Sequence, residues 1–195
     1  MTKIRLDPAI YISGPYTTQG KHGNAIFTPN IGTLDDNVIS LGTHENDCLG
    51  NIPLCPNGLT LSLWFKAEPQ SHPWPHVFSS TYFTVLFNNG PGVLKLRTLL
   101  RNGTHQIWYL DLSIVAPNVW THFGFTYTAN TGINFFQDGC KLTRPKNPQI
   151  AEMTPVIKDF ELGCTDGAHC AKITYDDFRF WTTAKDEQFM WWLSK

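Results

Sequence analysis

The sequence predicts an all-β fold, a sandwich or barrel of short antiparallel strands. Three observations carry this. Segments of alternating polarity recur along the chain with turn residues between them. Aromatic residues make up 13%, with seven Trp, while charged residues make up only 16%, against about 25% in an average soluble domain. Blocks rich in Ala, Glu, Lys and Leu, which favour helix, are absent until the C-terminal end.

The elements follow in order. Leu59 to Ala67 alternates: Leu59, Leu61, Leu63 and Phe65 point one way, Thr60, Ser62, Trp64 and Lys66 the other. That is the pattern of a half-buried strand. Val93 to Leu100 and Gln106 to Leu112 are strands around Asn102-Gly103, a favoured two-residue hairpin turn. Thr121 to Thr128 alternates again, with Phe123, Phe125 and Tyr127 on one face. Ile133 to Gln137 follows, and Asp138-Gly139 turns the chain back. Phe160 to Gly163 is a short strand. The last, Lys172 to Trp181, slips phase. Ile173 and Tyr175 share one face, whereas Phe178 and Phe180 have the opposite parity. A β-bulge at Asp176-Asp177 would return all four to one face; the alternative is a strand buried on both faces. Thr183 with Asp186 then resembles a helix-start box, and Phe189, Met190 and Leu193 form one apolar stripe of a short C-terminal helix.

The 195 residues suit one all-β domain with a sizeable core. Residues 1–24 are expected to be an N-terminal extension or edge strand, and residues 25–195 the sandwich. The formal net charge is −1, with Lys and Arg scattered singly. This argues against nucleic acid as a partner and against a polybasic membrane anchor. No apolar run approaches the roughly 20 residues of a spanning helix, so direct membrane insertion is not expected. Met1 to Leu6 is short and mixed, without the apolar core of a signal peptide. Cytosolic location is one reading. The favoured expectation is a domain of a longer secreted or cell-surface protein, because of its cysteine placement and the family resemblance below.

Cys48 and Cys55 bracket a small loop and are disulfide candidates. Cys164 and Cys170 bracket a polar turn and could pair too, leaving Cys140 odd. Cys140 with Cys164 or with Cys170 remains open, and the alternative is a fully reduced chain in a cytosolic protein. Zinc spacing is missing, since there are no short Cys-x-x-Cys pairs. Asn102-Gly103-Thr104 is a glycosylation sequon on a predicted hairpin tip, with Asn102 as the acceptor.

Three segments resemble a known family. GLTLSLWFKA (Gly58 to Ala67) is similar to the early core strand of laminin-G-like and pentraxin-like domains. VWTHFGFTYTANTGINFFQDGC (Val119 to Cys140) is similar to their central strands. ITYDDFRFWTTAKDEQF (Ile173 to Phe189) resembles their last strand and trailing helix. The resemblance spans roughly Phe27 to Leu193. It implies a concanavalin A-like, two-sheet antiparallel jelly-roll sandwich with a short C-terminal helix. In such domains aromatics like those of the Trp120 and Phe178-to-Trp181 strands are mostly core. The resemblance also implies calcium at a rim, a hard ion that takes oxygen ligands. Its candidate ligands are Asn46, Asp47 and Asp176. The loop departs from the family in carrying Cys48 where an Asp-Tyr run is usual. The alternative for Asp176 and Asp177 is that they bond backbone amides around a bulge. No organic cofactor is expected.

Function is read from what is present and what is missing. In Ser71-His72-Pro73-Trp74-Pro75-His76 the prolines stiffen a loop that presents Trp74, flanked by His72 and His76. A rigid exposed aromatic can stack on a sugar or anchor a protein; the alternative is that Trp74 folds inward as a lid on the core. The prolines also rule out a helical metal pair of His72 and His76. Glycoside hydrolysis needs two facing carboxylates, and the Glu-x-Asp-x-x-Glu strand motif of the fold's retaining glucanases is missing. Asp159 and Glu161 share strand spacing without a third acid, and Asp176 and Asp177 would face opposite ways unless the bulge redirects them. No nucleophile elbow or phosphate-cradling loop is found. The expectation is a non-catalytic extracellular adhesion module for a glycan or matrix ligand. The alternatives are a protein-interaction domain and, behind it, a glycoside hydrolase.

Overall fold

The computed structural model describes residues 17–28, 38–44, 46–49, 54–69, 76–80, 83–88, 93–99, 104–111, 115–142, 149–152, 159–163 and 172–195. Their strands are β1 (Thr17–Gln19), β2 (Asn24–Thr28), β3 (Val38–Ser40), β4 (Leu59–Ala67), β5 (His76–Ser79), β6 (Phe83–Asn88) and β7 (Val93–Leu99). These are followed by β8 (Thr104–Asp111), β9 (Thr121–Thr128), β10 (Gly132–Gln137), β11 (Cys140–Lys141), β12 (Gln149–Glu152), β13 (Glu161–Gly163) and β14 (Ile173–Trp181). One helix, α1 (Glu187–Leu193), ends the described chain.

The strands form two sheets. One runs β1-β2-β14-β4-β9-β10-β11 and the other β12-β8-β7-β6-β5-β13-β3. Adjacent strands pair antiparallel throughout, for instance β4 with β9 and β14 with β2. This is the jelly-roll sandwich that the alternating pattern and the resemblance predict. The inner faces meet in a core of Leu59, Leu61, Leu63 and Phe65 from β4, Phe123 and Phe125 from β9, and Val77, Phe78 and Leu162 from the opposite sheet. Phe160 stacks on Phe78 and meets Phe178 edge-on, which ties the sheets through aromatic contacts. The fully buried Tyr175 donates its hydroxyl hydrogen to the Val77 carbonyl at 2.7 Å. Burial pushes its phenol far above the usual range, against a smaller lowering by hydrogen bonding.

The phase slip in the last strand is a bulge. Asp176 pairs with Trp64 and Arg179 with Ser62, so β14 carries one residue more than β4 between these points. Asp177 takes up the excess in the left-handed region, φ 49°, where Asp is better tolerated than most residues. Tyr175, Phe178 and Phe180 are thereby all returned to the core. The Asp138-Gly139 turn also forms as read. Both residues have positive φ, 51° and 80°, and Gln137 pairs with Cys140, as a type I′ hairpin requires.

Two expectations change. β4 is buried on both faces, not one: outward-pointing Thr60, Ser62 and Trp64 are 0%, 2% and 5% exposed. The reason is tertiary. The β1–β2 turn covers Trp64, and α1 lies further along the same outer face, with Met190 packed on Gly124 of β9. The helix also starts three residues later than the Thr183 box implied. Its N-cap is Asp186, whose carboxylate accepts the Phe189 N–H at 2.8 Å. Thr183 instead accepts the Thr60 hydroxyl through its carbonyl at 2.9 Å, and Thr60 Oγ1 accepts the Lys185 N–H at 2.8 Å. These bonds staple the segment between strand and helix to β4.

Candidate functional site

Of the residues singled out in the sequence, His72, Trp74, Asn102, Cys164 and Cys170 lie outside the described residues. His76 opens β5 and pairs with Leu86. Cys48 and Cys55 form a disulfide with Cα atoms 5.0 Å apart, and Cys140 is a free, exposed thiol on β11. Asn46 and Asp47 immediately precede Cys48, just outside the loop that this disulfide closes. There Asp47 accepts from the Leu49 N–H at 2.8 Å and meets His44 Nδ1 at 2.6 Å. Close by, Asp159 accepts from the Ser40 and Thr43 hydroxyls, and these bonds hold its carboxyl below the usual range.

The structure separates the proposed calcium ligands. Asp176 is on the outer face of β14, 6% exposed, and accepts the His22 N–H at 2.7 Å. It lies beside Trp64, five residues along β4 from Leu59, about 17 Å at the usual strand rise. The disulfide loop adjoins the Leu59 end. Calcium takes six to eight oxygens, and Asn46, Asp47 and Asp176 do not make one such set. Among the described residues no group of three or more His, Cys, Asp or Glu comes together to hold a metal.

A different site emerges on the outer face of the first sheet. Between β14 and α1 runs an open groove of about 740 Å³, a volume typical of ligand pockets. Trp181 and Arg179 of β14 form its floor, and Phe189 and Trp192 of α1 its wall. Trp181 meets Phe189 edge-to-face at 5.2 Å and 88°, so two rings fix each other. Trp192 is 71% exposed, unlike the 7% of Trp181, and offers an uncovered aromatic face. Polar groups ring these surfaces. Arg179 forks onto Asp177 through Nε and Nη2 at 2.6 and 2.5 Å, a bidentate geometry that fixes the guanidinium plane. Lys185 holds its ammonium 5.2 Å over the Phe189 ring, and Gln188 and Asp186 complete the rim. Flat apolar surfaces bordered by oriented donors and acceptors suit a ligand with both C–H faces and hydroxyls.

Beyond Arg179 the outer face becomes a polar row. Asp176, Trp64 and His122 are direct cross-strand partners on β14, β4 and β9. His122 is fully buried; its Nε2 meets the Ser62 hydroxyl at 2.8 Å, and its ring lies 5.3 Å from that of Trp64. Burial is the main reason its pKa falls to about 4; Arg179 and His22 lower it further, while Asp177 opposes them. Among the described residues His122 Nδ1 and Trp64 Nε1 have no hydrogen-bond partner. The β1–β2 turn sits on this row. Lys21 lies 4.9 Å over Trp64, and the His22 ring meets Trp64 at 5.8 Å.

Sequence reasoning missed the groove because it placed the aromatics of β14 in the core and saw only the Phe189, Met190 and Leu193 stripe of α1. A signal was present. Trp191 and Trp192 are adjacent on a helix, so both cannot turn to a core already faced by Met190. The bulge likewise puts the Asp177 carboxylate, through its pairing with Arg179, on the same outer face as Asp176.

A family model described as the concanavalin A-like lectin/glucanases superfamily, of the laminin G type, matches residues 41–188. No curated protein matches the chain by sequence. Among solved structures, domain 4 of AbnA, a GH43 extracellular arabinanase from Geobacillus stearothermophilus in complex with arabinotriose, is similar. It superposes with a TM-score of 0.65 at 17% identity, over 92% of this chain and 80% of that one. The binding domain of botulinum neurotoxin serotype D is similar with a TM-score of 0.63 and 14% identity, over 93% of this chain. The ligand-binding domain of the same toxin in complex with N-acetylneuraminic acid gives 0.65 and 13%. The chain spans under half the length of these toxin chains, 45% and 44%. At such identities the likeness is one of fold.

Proposed function

This chain belongs to the concanavalin A-like lectin/glucanases superfamily, and from that premise we propose that it is a non-catalytic glycan-binding module acting outside the cell. The observation that carries the reading is the groove between β14 and α1, where Trp181, Phe189 and Trp192 present aromatic surface beside Arg179, Gln188 and Lys185. Stacking supplies affinity, and the rim supplies orientation and selectivity. The arabinotriose and N-acetylneuraminic acid held by two fold relatives support the ligand class, and the Cys48–Cys55 disulfide supports an oxidising location.

Binding rather than hydrolysis is favoured by the carboxylates around the groove. Asp177 is held by Arg179, Asp176 by the His22 amide and Asp186 by the first turn of α1. Each is engaged in structure, and among the described residues Asp186 is the one carboxylate lining the groove, whereas glycoside cleavage demands a facing pair. The second reading, a protein-interaction domain, draws on Trp191 and Trp192, exposed by 49% and 71%, which have the character of interface anchors.

A glycan array probed with the oxidised domain tests the proposal, with calcium and with a chelator. Binding to one glycan class is expected, reduced about tenfold or more in Trp192→Ala, a substitution at an exposed position that leaves the fold intact. It is expected to survive chelation, since the groove's own carboxylate, Asp186, caps the helix. Failure of the folded domain to bind any glycan, with a protein partner retained, moves the function to the second reading.

A further inference from the structure

The described lining of the groove ends at Arg179, but the outer face of the sheet continues beyond it. Trp181 pairs with Thr60, Arg179 with Ser62, and Asp176 with Trp64, so the same outer face runs on for four residues of β4, about 13 Å. At its far end the β1–β2 turn stands over the sheet. The turn is closed by the Gly20 N–H to Gly23 carbonyl bond at 2.7 Å. It is pinned by the Asp176 carboxylate, which accepts the His22 N–H. Gly20 fits so closely that a Cβ there would lie 2.5 Å from Asp176 Oδ2. This fixed turn holds Lys21 and His22 exposed above Trp64. Among the described residues no carboxylate pairs with Lys21. Its ammonium rests on an aromatic ring and keeps its donors free for another acceptor.

We propose, building on the glycan-binding reading, that the ligand is the interior of a saccharide chain and not a single terminal sugar. The chain lies along the outer face of β14, from the Trp181, Phe189 and Trp192 surfaces past Arg179 to the Lys21–His22 turn. The Arg179 fork, oriented by Asp177, stands midway and supplies donors to ring or hydroxyl oxygens there. Lys21 and His22 form a distal contact that only a chain of several units reaches. Both ends sit on rigid supports, the capped helix α1 and the pinned turn, so little order has to be gained on binding.

The test is a length ladder of arabinan, xylan, mannan, galactan and glucan fragments, from one to about six units, presented to the wild type, Lys21→Ala and Trp192→Ala. The structure predicts that affinity rises with length and levels off after about three or four units, from the span of the face. Lys21→Ala is expected to weaken the longest fragments about tenfold and leave the shortest bound fragment unchanged, while Trp192→Ala weakens every length. Equal affinity for one unit and six, or a ladder unaltered by Lys21→Ala, overturns the chain inference and leaves glycan binding standing. No binding by the folded protein at any length, here and on the array, removes both.

Discussion

Burial holds His122 neutral at pH 7, between the Ser62 hydroxyl and the Trp64 ring. Its folded pKa of about 4 lies below the ordinary 6.5. Between those values the unfolded chain binds a proton that the folded one refuses. Stability from this group is therefore complete above pH 6.5 and is lost as pH falls towards about 4. At about 1.4 kcal/mol per pH unit the loss approaches about 3 kcal/mol. Urea unfolding at pH 7 and pH 4.5 checks this. His122→Gln, which can still bond Ser62, should lose several-fold less stability between the two pH values than the wild type. Equal losses in both proteins would show that carboxylates alone drive acid destabilisation.

At the scale of elements, α1 depends on a glycine opposite it. A Cβ on Gly124 would stand 2.2 Å from Met190 Cε and 2.9 Å from the Leu61 carbonyl. The methyl end of Met190 can yield, but the β4 backbone cannot. Gly124→Ala is thus expected to cost about 1–3 kcal/mol and to loosen α1 first. Thermal unfolding should show the lower Tm, and amide exchange should show the loss concentrated at residues 187–193. Uniform loss across the sheets, or none, would contradict the packing described here.

The same elements show how far the sequence could be read. β4 and β9 are legible to the residue because alternation over nine and eight positions leaves one register. The bulge is legible because parity breaks at Asp176-Asp177. What escaped depends on contacts distant in sequence. Nothing local to Thr60, Ser62 or Trp64 announces that a turn at residues 20–23 and a helix at 187–193 will cover them. The groove escaped for that reason too: Trp181 looks like a core residue until α1 is placed beside it. The Asn46, Asp47 and Asp176 set rested on resemblance alone, and the fold puts its members at different places along β4.

At the scale of the whole molecule, the first sheet places the second and the last described strands side by side, β2 against β14. That adjacency brings the β1–β2 turn and α1 onto one face, with the floor of β14 between them. The fold so builds the proposed binding surface from segments far apart in sequence, on the side of the first sheet opposite the aromatic core. The central claim is the location of binding on this face. The most direct measurement is an NMR titration that follows the indole N–H resonances of the seven Trp residues with the shortest oligosaccharide that binds on the array. The account predicts that Trp181 and Trp192 shift first and together, with Trp64 following for longer chains. Saturable binding that moves other indoles, such as Trp74 or Trp108, and leaves Trp181 and Trp192 unmoved would place the site elsewhere and contradict it.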